Sequence, residues 1–265
     1  MTDPKEVAIS SDLLQKIVEH TGNDAVLVGG QALSFWAQYY GIPLQLAEYE
    51  GASISKDADF LGKLKNLDAI QEAFGDSAQK MLPPRQGMTA LVGSVHIRLS
   101  DAEYVNIDVI HKVVGLDANH VMKTAMKVQM GDAFFLIMHP LDVLESRVAN
   151  LAQLKDKQQP KSNGKVQAHL AICVARRYVQ ELAADPENEA KALRAIEKIV
   201  AIAKNSAGRR VSRDYDVNFG WAIPEHSIRS EAFHHHRWPR LCAELATAAG
   251  YGKEQTLKDS PPADE

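Results

Sequence analysis

Asp57 and Asp59 stand at alternate positions downstream of a Gly29-Gly30 pair, and Asp108 lies further along in the run Tyr104-Val105-Asn106-Ile107-Asp108-Val109-Ile110. On a strand, residues two apart point to the same face, so the Asp57 and Asp59 carboxylates are expected side by side. The alternation around Asp108 also reads as a strand, and a carboxylate inside an apolar alternation must be paired, metal-bound or facing a cleft. Carboxylates are hard oxygen ligands, and Mg²⁺ commonly takes one or two of them together with phosphate oxygens and water. A glycine turn that opens a helix adds backbone N–H groups able to cradle phosphate. Three acids and a glycine turn therefore suit a site that holds Mg²⁺ against a nucleoside triphosphate.

Each motif also has an ordinary explanation. Most Gly-Gly pairs only make turns, and an isolated Asp-x-Asp is common at exposed strand ends. What favours chemistry is their order, with the apolar run Ala25-Val26-Leu27-Val28 before the glycines and the apolar, aromatic segment Gln31 to Tyr40 after them. Lys56 abuts the acid pair and is placed to reach a phosphate. His111 falls three positions after Asp108, on the opposite strand face, and reads as a core or rim histidine. His234-His235-His236 cannot all ligate one metal from a regular helix, where neighbours point about 100° apart. Arg147 and Asn150 are three apart and share a helix face; a guanidinium there suits bidentate binding of phosphate, and the ordinary reading, a solvated helix face or an interdomain ion pair, stands slightly ahead of it. Arg209-Arg210 and Arg213 form the densest basic cluster, the kind that usually lies solvated at a helix end.

The strings Val28-Gly29-Gly30-Gln31-Ala32-Leu33 and Ser55-Lys56-Asp57-Ala58-Asp59-Phe60, with Asp108, resemble the nucleotidyltransferase fold of the polymerase-beta-like superfamily. The likeness is nearest to bacterial abortive-infection, toxin-type nucleotidyltransferase-like proteins and spans roughly residues 20 to 170. It implies an α+β fold, a mixed-sheet nucleotidyltransferase core followed by a C-terminal helical domain. It also implies Asp57, Asp59 and Asp108 as catalytic and metal-binding residues, with Gly29, Gly30, Gln31, Lys56 and Arg147 at the nucleotide and Mg²⁺ as the cofactor. The implied reaction moves a nucleoside monophosphate from a nucleoside triphosphate to an acceptor hydroxyl. That acceptor is an RNA 3′ end (tRNA in some relatives), a protein or a small molecule, and an antitoxin partner is a further implication. Three departures stand out. Gln31 replaces a frequent serine, the connection from Gly30 to Asp57 is long enough for Ile42 to Ser53 to form an added loop, and no Asp follows Lys165. They leave room for a degenerate protein that binds nucleotide or a partner without catalysis. A metal-dependent phosphohydrolase ranks behind both, because no His lies between Gly29 and Asp59.

The elements that must position these residues follow from periodicity. Ser11 to Thr21 carries Leu13, Leu14, Ile17 and Val18 at helical spacing, with Ser10 or Ser11 as cap. Leu67 to Phe74 reads as a short helix. Thr89 to Val92, Val95 to Leu99, Val105 to Ile110, Met126 to Met130 and Phe134 to Met138 read as strands. Beyond His139 the pattern turns helical: Leu141 to Leu154 with Pro140 in its first turn, Val166 to Leu182, Ala190 to Lys204, and Ser230 to Ala249 interrupted at Pro239. These readings divide the chain into an α/β domain over 1–138, a helical domain over 139–254 and a flexible tail over 255–265.

Composition sets the outer limits. The 265 residues are 45% hydrophobic, enough for a buried core, and the formal net charge of −4 argues against a generally basic nucleic-acid surface. No window reads as a membrane span, and the N-terminal residues lack a signal-peptide pattern. A cytoplasmic protein with no membrane partner is the expectation. Cys173 and Cys242 lack metal-ligand spacing and read as free thiols.

Overall fold

The computed structural model describes residues 4–21, 24–42, 56–84 and 89–250. Residues 42–53, the expected added loop, fall outside this set apart from Ile42, as does the expected tail over 255–265.

The N-terminal helix forms where capping and apolar spacing agree. Helix α1 (Ser11–His20) begins at Ser10, whose hydroxyl accepts from the Leu13 N–H at 3.3 Å, and buries Leu14, Ile17 and Val18. It packs against strand β8 (Ala133–Ile137). Helix α3 (Leu64–Phe74) buries Leu67 and Ile70 against strands β4 (Ala78–Met81) and β5 (Leu91–Arg98). Burying each such side chain stabilises the fold by about 1.5–3 kcal/mol.

The sheet adds β1 (Lys5–Glu6), β2 (Val26–Val28), β3 (Ala58–Leu61), β6 (Glu103–Ile110) and β7 (Met126–Met130). Among the described residues its order is β4-β5-β6-β3-β2-β8-β7, with β1 pairing β6. It is mixed: β3 pairs β6 in parallel and β2 pairs β8 in parallel, whereas β2–β3, β4–β5, β5–β6 and β7–β8 are antiparallel. The short helix α4 (Ala118–Thr124) precedes β7. The fold class is α+β, a mixed sheet with a helical C-terminal region.

Helix α2 (Gly29–Tyr39) follows β2 without a loop. Helix α5 (Pro140–Gln153) opens with Pro140, and the Leu141 N–H donates to His139 Nδ1 at 3.1 Å. Then come α6 (Gly164–Ala184), α7 (Glu189–Lys204), α8 (Ser206–Tyr215) and α9 (Trp238–Ala249). The chain divides into two compact units, Met1–Phe35 with Gln45–Ser146, and Trp36–Leu44 with Arg147–Glu265. The first contains the sheet.

The structure departs from the sequence reading in definite places. The expected strands over 89–92 and 95–99 are one strand, β5, with an irregularity between Leu91 and Gly93. A Cβ on Gly93 would lie 2.7 Å from Leu67 Cδ2 and 2.8 Å from the Met81 carbonyl oxygen, so glycine lets α3 and β4 approach there. Pro239 does not interrupt the last helix. The π-helical turn Phe233–Arg237 leads directly into α9, with Pro239 in its first turn. A widened turn just upstream accommodates a residue that has no N–H to donate backwards. Strands β1 and β4 and helices α4 and α8 are further elements beyond those expected.

Candidate metal centre

Register builds the acidic row. Val28 pairs Asp59, Asp59 pairs Asp108 across the parallel β3–β6 ladder, and Asp108 pairs Ser94 on β5. Directly paired residues share a sheet face, so Asp59, Asp108 and Ser94 form one lateral line. Asp57 precedes β3 by one position and joins them. One carboxylate oxygen from each of Asp57, Asp59 and Asp108 lies within 4.8 Å of the other two, and all three residues are half-buried. Among the described residues this is the one such grouping of His, Cys, Asp or Glu. The histidine run does not form another. His234 Nε2 lies 2.7 Å from the Ile228 carbonyl oxygen, held by its own loop.

Gly29 is the residue the acids press against. Its φ of +69° lies in the left-handed region, and a Cβ there would sit 2.0 Å from Asp59 Oδ2. Only glycine satisfies both demands. Gly30 continues the helix, its carbonyl oxygen accepting from Ser34 Oγ at 3.0 Å. The N-terminus of α2, with its outward N–H groups, thus starts beside the Asp59 carboxylate.

Asp108 is held by two donors. Ser94 Oγ donates to its Oδ1 at 2.6 Å, and Asn106 Nδ2 donates to the same oxygen at 3.0 Å. Both bonds go to Oδ1, and Oδ2 accepts neither. Asn106 Oδ1 is buried and receives no hydrogen bond.

The donor set fits a hard divalent cation. It is all oxygen, and carboxylates gathered this closely repel one another when ionised. A divalent cation among them turns that repulsion into attraction, and the glycine against Asp59 keeps the cluster compact. Asp57 and Asp59 are the residues that would hold it, and Asp108 stands close enough to be a further ligand or a base.

The remaining expected residues are placed as follows. Lys56 is exposed and adjoins Asp57, while Gln31 is buried in the first turn of α2. Arg147 belongs to the second unit, where it is 8% exposed and its Nη1 donates to Gln167 Oε1 at 3.4 Å. Lys165 is a surface residue 3.7 Å from Asp216. Ser94 and Asn106 are the contributors that sequence reading missed. Asn106 was visible two positions before Asp108, as a polar residue on the same strand face. Ser94 had no local signal, because only the β5–β6 register brings it to Asp108.

No family model matches the chain, and no curated protein matches it. Similar solved structures include a candidate nucleotidyltransferase from H. pylori, 13% identical with a TM-score of 0.38, covering 90% of this chain and 91% of that one. Another is JHP933 from Helicobacter pylori, 14% identical with a TM-score of 0.36, covering 90% of this chain and 88% of that one. Both likenesses are distant, and the chemistry of the site rests on its own residues.

Proposed function

We propose that this chain is a metal-dependent nucleotidyltransferase that moves a nucleoside monophosphate from a nucleoside triphosphate to an acceptor hydroxyl. The observation that carries the reading is the meeting of Asp57, Asp59 and Asp108 within 4.8 Å beside the Gly29 turn. Asp57 and Asp59 would hold the cation, Mg²⁺ by the hardness of the ligands. When bound, that cation offsets charge on the triphosphate and on the departing pyrophosphate. Gly29 and Gly30 let the triphosphate approach the N–H groups at the start of α2, where anions are favoured. Lys56 lies beside the acid pair as a cation for an outer phosphate oxygen, and Gln31 completes the proposed nucleotide-binding set in this unit.

Asp108 takes the proton of the acceptor hydroxyl at Oδ2, while Ser94 and Asn106 fix the carboxylate through Oδ1. The acceptor oxygen bonds to the α-phosphorus as the bond from that phosphorus to the bridging oxygen breaks. Pyrophosphate leaves with the electron pair. The acceptor class is an RNA 3′ end, a protein or a small molecule, and a role as the toxin of a toxin–antitoxin pair in the cytoplasm belongs to the same proposal.

The test incubates the purified protein with Mg²⁺, each α-labelled nucleoside triphosphate and total RNA, alongside a D57A/D59A variant. Label on RNA or on protein with the wild type alone supports transfer. Absence of nucleotide binding by calorimetry would sink the reading, and binding with no transfer to any acceptor would make the chain a nucleotide-binding protein instead.

A further inference from the structure

The face that carries Asp108 continues past Asn106 as a polar strip whose far end the chemistry above does not use. Going back along β6 by twos come Asn106 and Tyr104, and across on β5 their register partners are His96 and Arg98. The His96 and Tyr104 rings lie against one another, centroids 4.4 Å apart and planes tilted by 32°. Both residues are half-buried, and Arg98, directly opposite Tyr104, is exposed. A strand rises about 3.3 Å per residue, so Tyr104 stands roughly 13 Å from Asp108 on the same face. Between them sits Asn106, whose Oδ1 receives no hydrogen bond.

We propose that this strip seats the acceptor and that the acceptor is a single-stranded RNA end, with a base against the His96–Tyr104 ring pair and a phosphate on Arg98. The inference rests on the nucleotidyltransferase reading of the neighbouring acids. Its chemistry is that of sheet surfaces that bind single strands, where aromatic side chains stack bases and a cation tracks the backbone. A strip this long exceeds one nucleoside. The ring pair therefore holds the base before the last, and the terminal ribose reaches Asp108 past Asn106. A compact small molecule reacting at Asp108 would not span the distance to the ring pair and Arg98. Glu6 on β1 is the other register partner of Tyr104, so the strip's cation lies on its β5 side, and the overall charge of −4 does not bar one such local cation.

The experiment measures binding of a labelled single-stranded oligoribonucleotide to the full chain without nucleotide, and separately binding of nucleoside triphosphate with Mg²⁺. Y104A and R98A should each weaken the oligoribonucleotide about tenfold, on the scale of one lost stacked base or phosphate contact, with triphosphate affinity unchanged. R98A should also lower the salt dependence by about one unit of slope, and Y104F, which keeps the ring, should bind like the wild type. Arg98 is exposed, so R98A tests the strip even if Y104A folds poorly. Wild-type-like oligoribonucleotide binding by a folded R98A overturns the proposal, as does an oligoribonucleotide that the wild type does not bind. Label transfer to protein or to a small molecule that R98A leaves unchanged overturns it too. Each of these results leaves triphosphate binding intact, whereas triphosphate that does not bind, or that binds and is transferred to no acceptor at all, is failure of the nucleotidyltransferase reading itself.

Discussion

At the scale of single residues, Gly29 and Asp108 carry the sharpest expectations. In G29A a methyl must share space with Asp59 Oδ2 and the backbone must hold a left-handed φ, a strain of about 1–2 kcal/mol before the clash. Gly41 has φ +60° but open space around it. G41A should therefore lose about 1 kcal/mol of stability and keep wild-type label transfer, whereas G29A should lose transfer at any temperature where it remains folded. Denaturant melts paired with the transfer assay separate the two. For Asp108, the single oxygen left by Ser94 and Asn106 makes a clear forecast. D108N should abolish turnover and leave triphosphate affinity within a few-fold by calorimetry. Affinity falling along with turnover would make Asp108 a cation ligand rather than the base.

At the scale of elements, a buried carboxylate ties α4 to the first turn of α5. Asp142 is fully buried and accepts from Thr124 Oγ1 at 2.5 Å and meets His120 Nε2 at 3.1 Å. T124V keeps the shape and removes a hydrogen-bond partner of a buried carboxyl, at an expected cost of about 1–3 kcal/mol in urea unfolding. A change inside ±0.5 kcal/mol would show that the bond is replaced. In the second unit, Tyr40 donates to Glu181 at 3.1 Å and stacks on Trp36. Burial first, then the Glu181 charge, pushes its phenol well above its ordinary value of 10. The folded state keeps that proton when the unfolded chain has lost it. Stability is thus complete below pH 10 and falls above it, by up to about 1.4 kcal/mol per pH unit. Unfolding midpoints measured between pH 9 and 11 should show the fall, and Y40F should flatten it.

Much of this architecture was legible because period and caps agreed. The Leu14, Ile17 and Val18 stripe behind Ser10 announced α1, and the alternation from Tyr104 to Ile110 announced β6. The acid pair was readable from its spacing. What escaped needed information that no local window contains. Strand β4, Ala78 to Met81, has no β-branched residue and forms only because β5 lies alongside. Helix α8 holds three arginines and little apolar surface, and its start is marked chiefly by Asn205, whose side chain accepts from the Gly208 N–H at 2.7 Å. Ser94 joins Asp108 through register alone.

At the scale of the whole molecule, the two units offer separate optical handles. All three tryptophans, Trp36, Trp221 and Trp238, fall in the second unit, while the proposed cation site lies in the first. Mg²⁺ should stabilise the unit that binds it, by about 2.7 kcal/mol at a hundred times its dissociation constant. Unfolding followed by far-ultraviolet dichroism should then gain a Mg²⁺-dependent component that tryptophan fluorescence does not follow, and D57A/D59A should abolish the difference. Coincident shifts in both signals would show the units unfolding as one. None of the described helices is long and apolar enough to cross a membrane. The parallel pairing of Asp59 with Asp108 has a last consequence, in time rather than space. Parallel partners cannot be joined by a hairpin, and contacts so remote in sequence form late, after the loop entropy between them has been overcome. A chain still being synthesised holds Asp57 and Asp59 long before Asp108 exists to meet them. Until β6 is in place the proposed cation site lacks its third carboxylate.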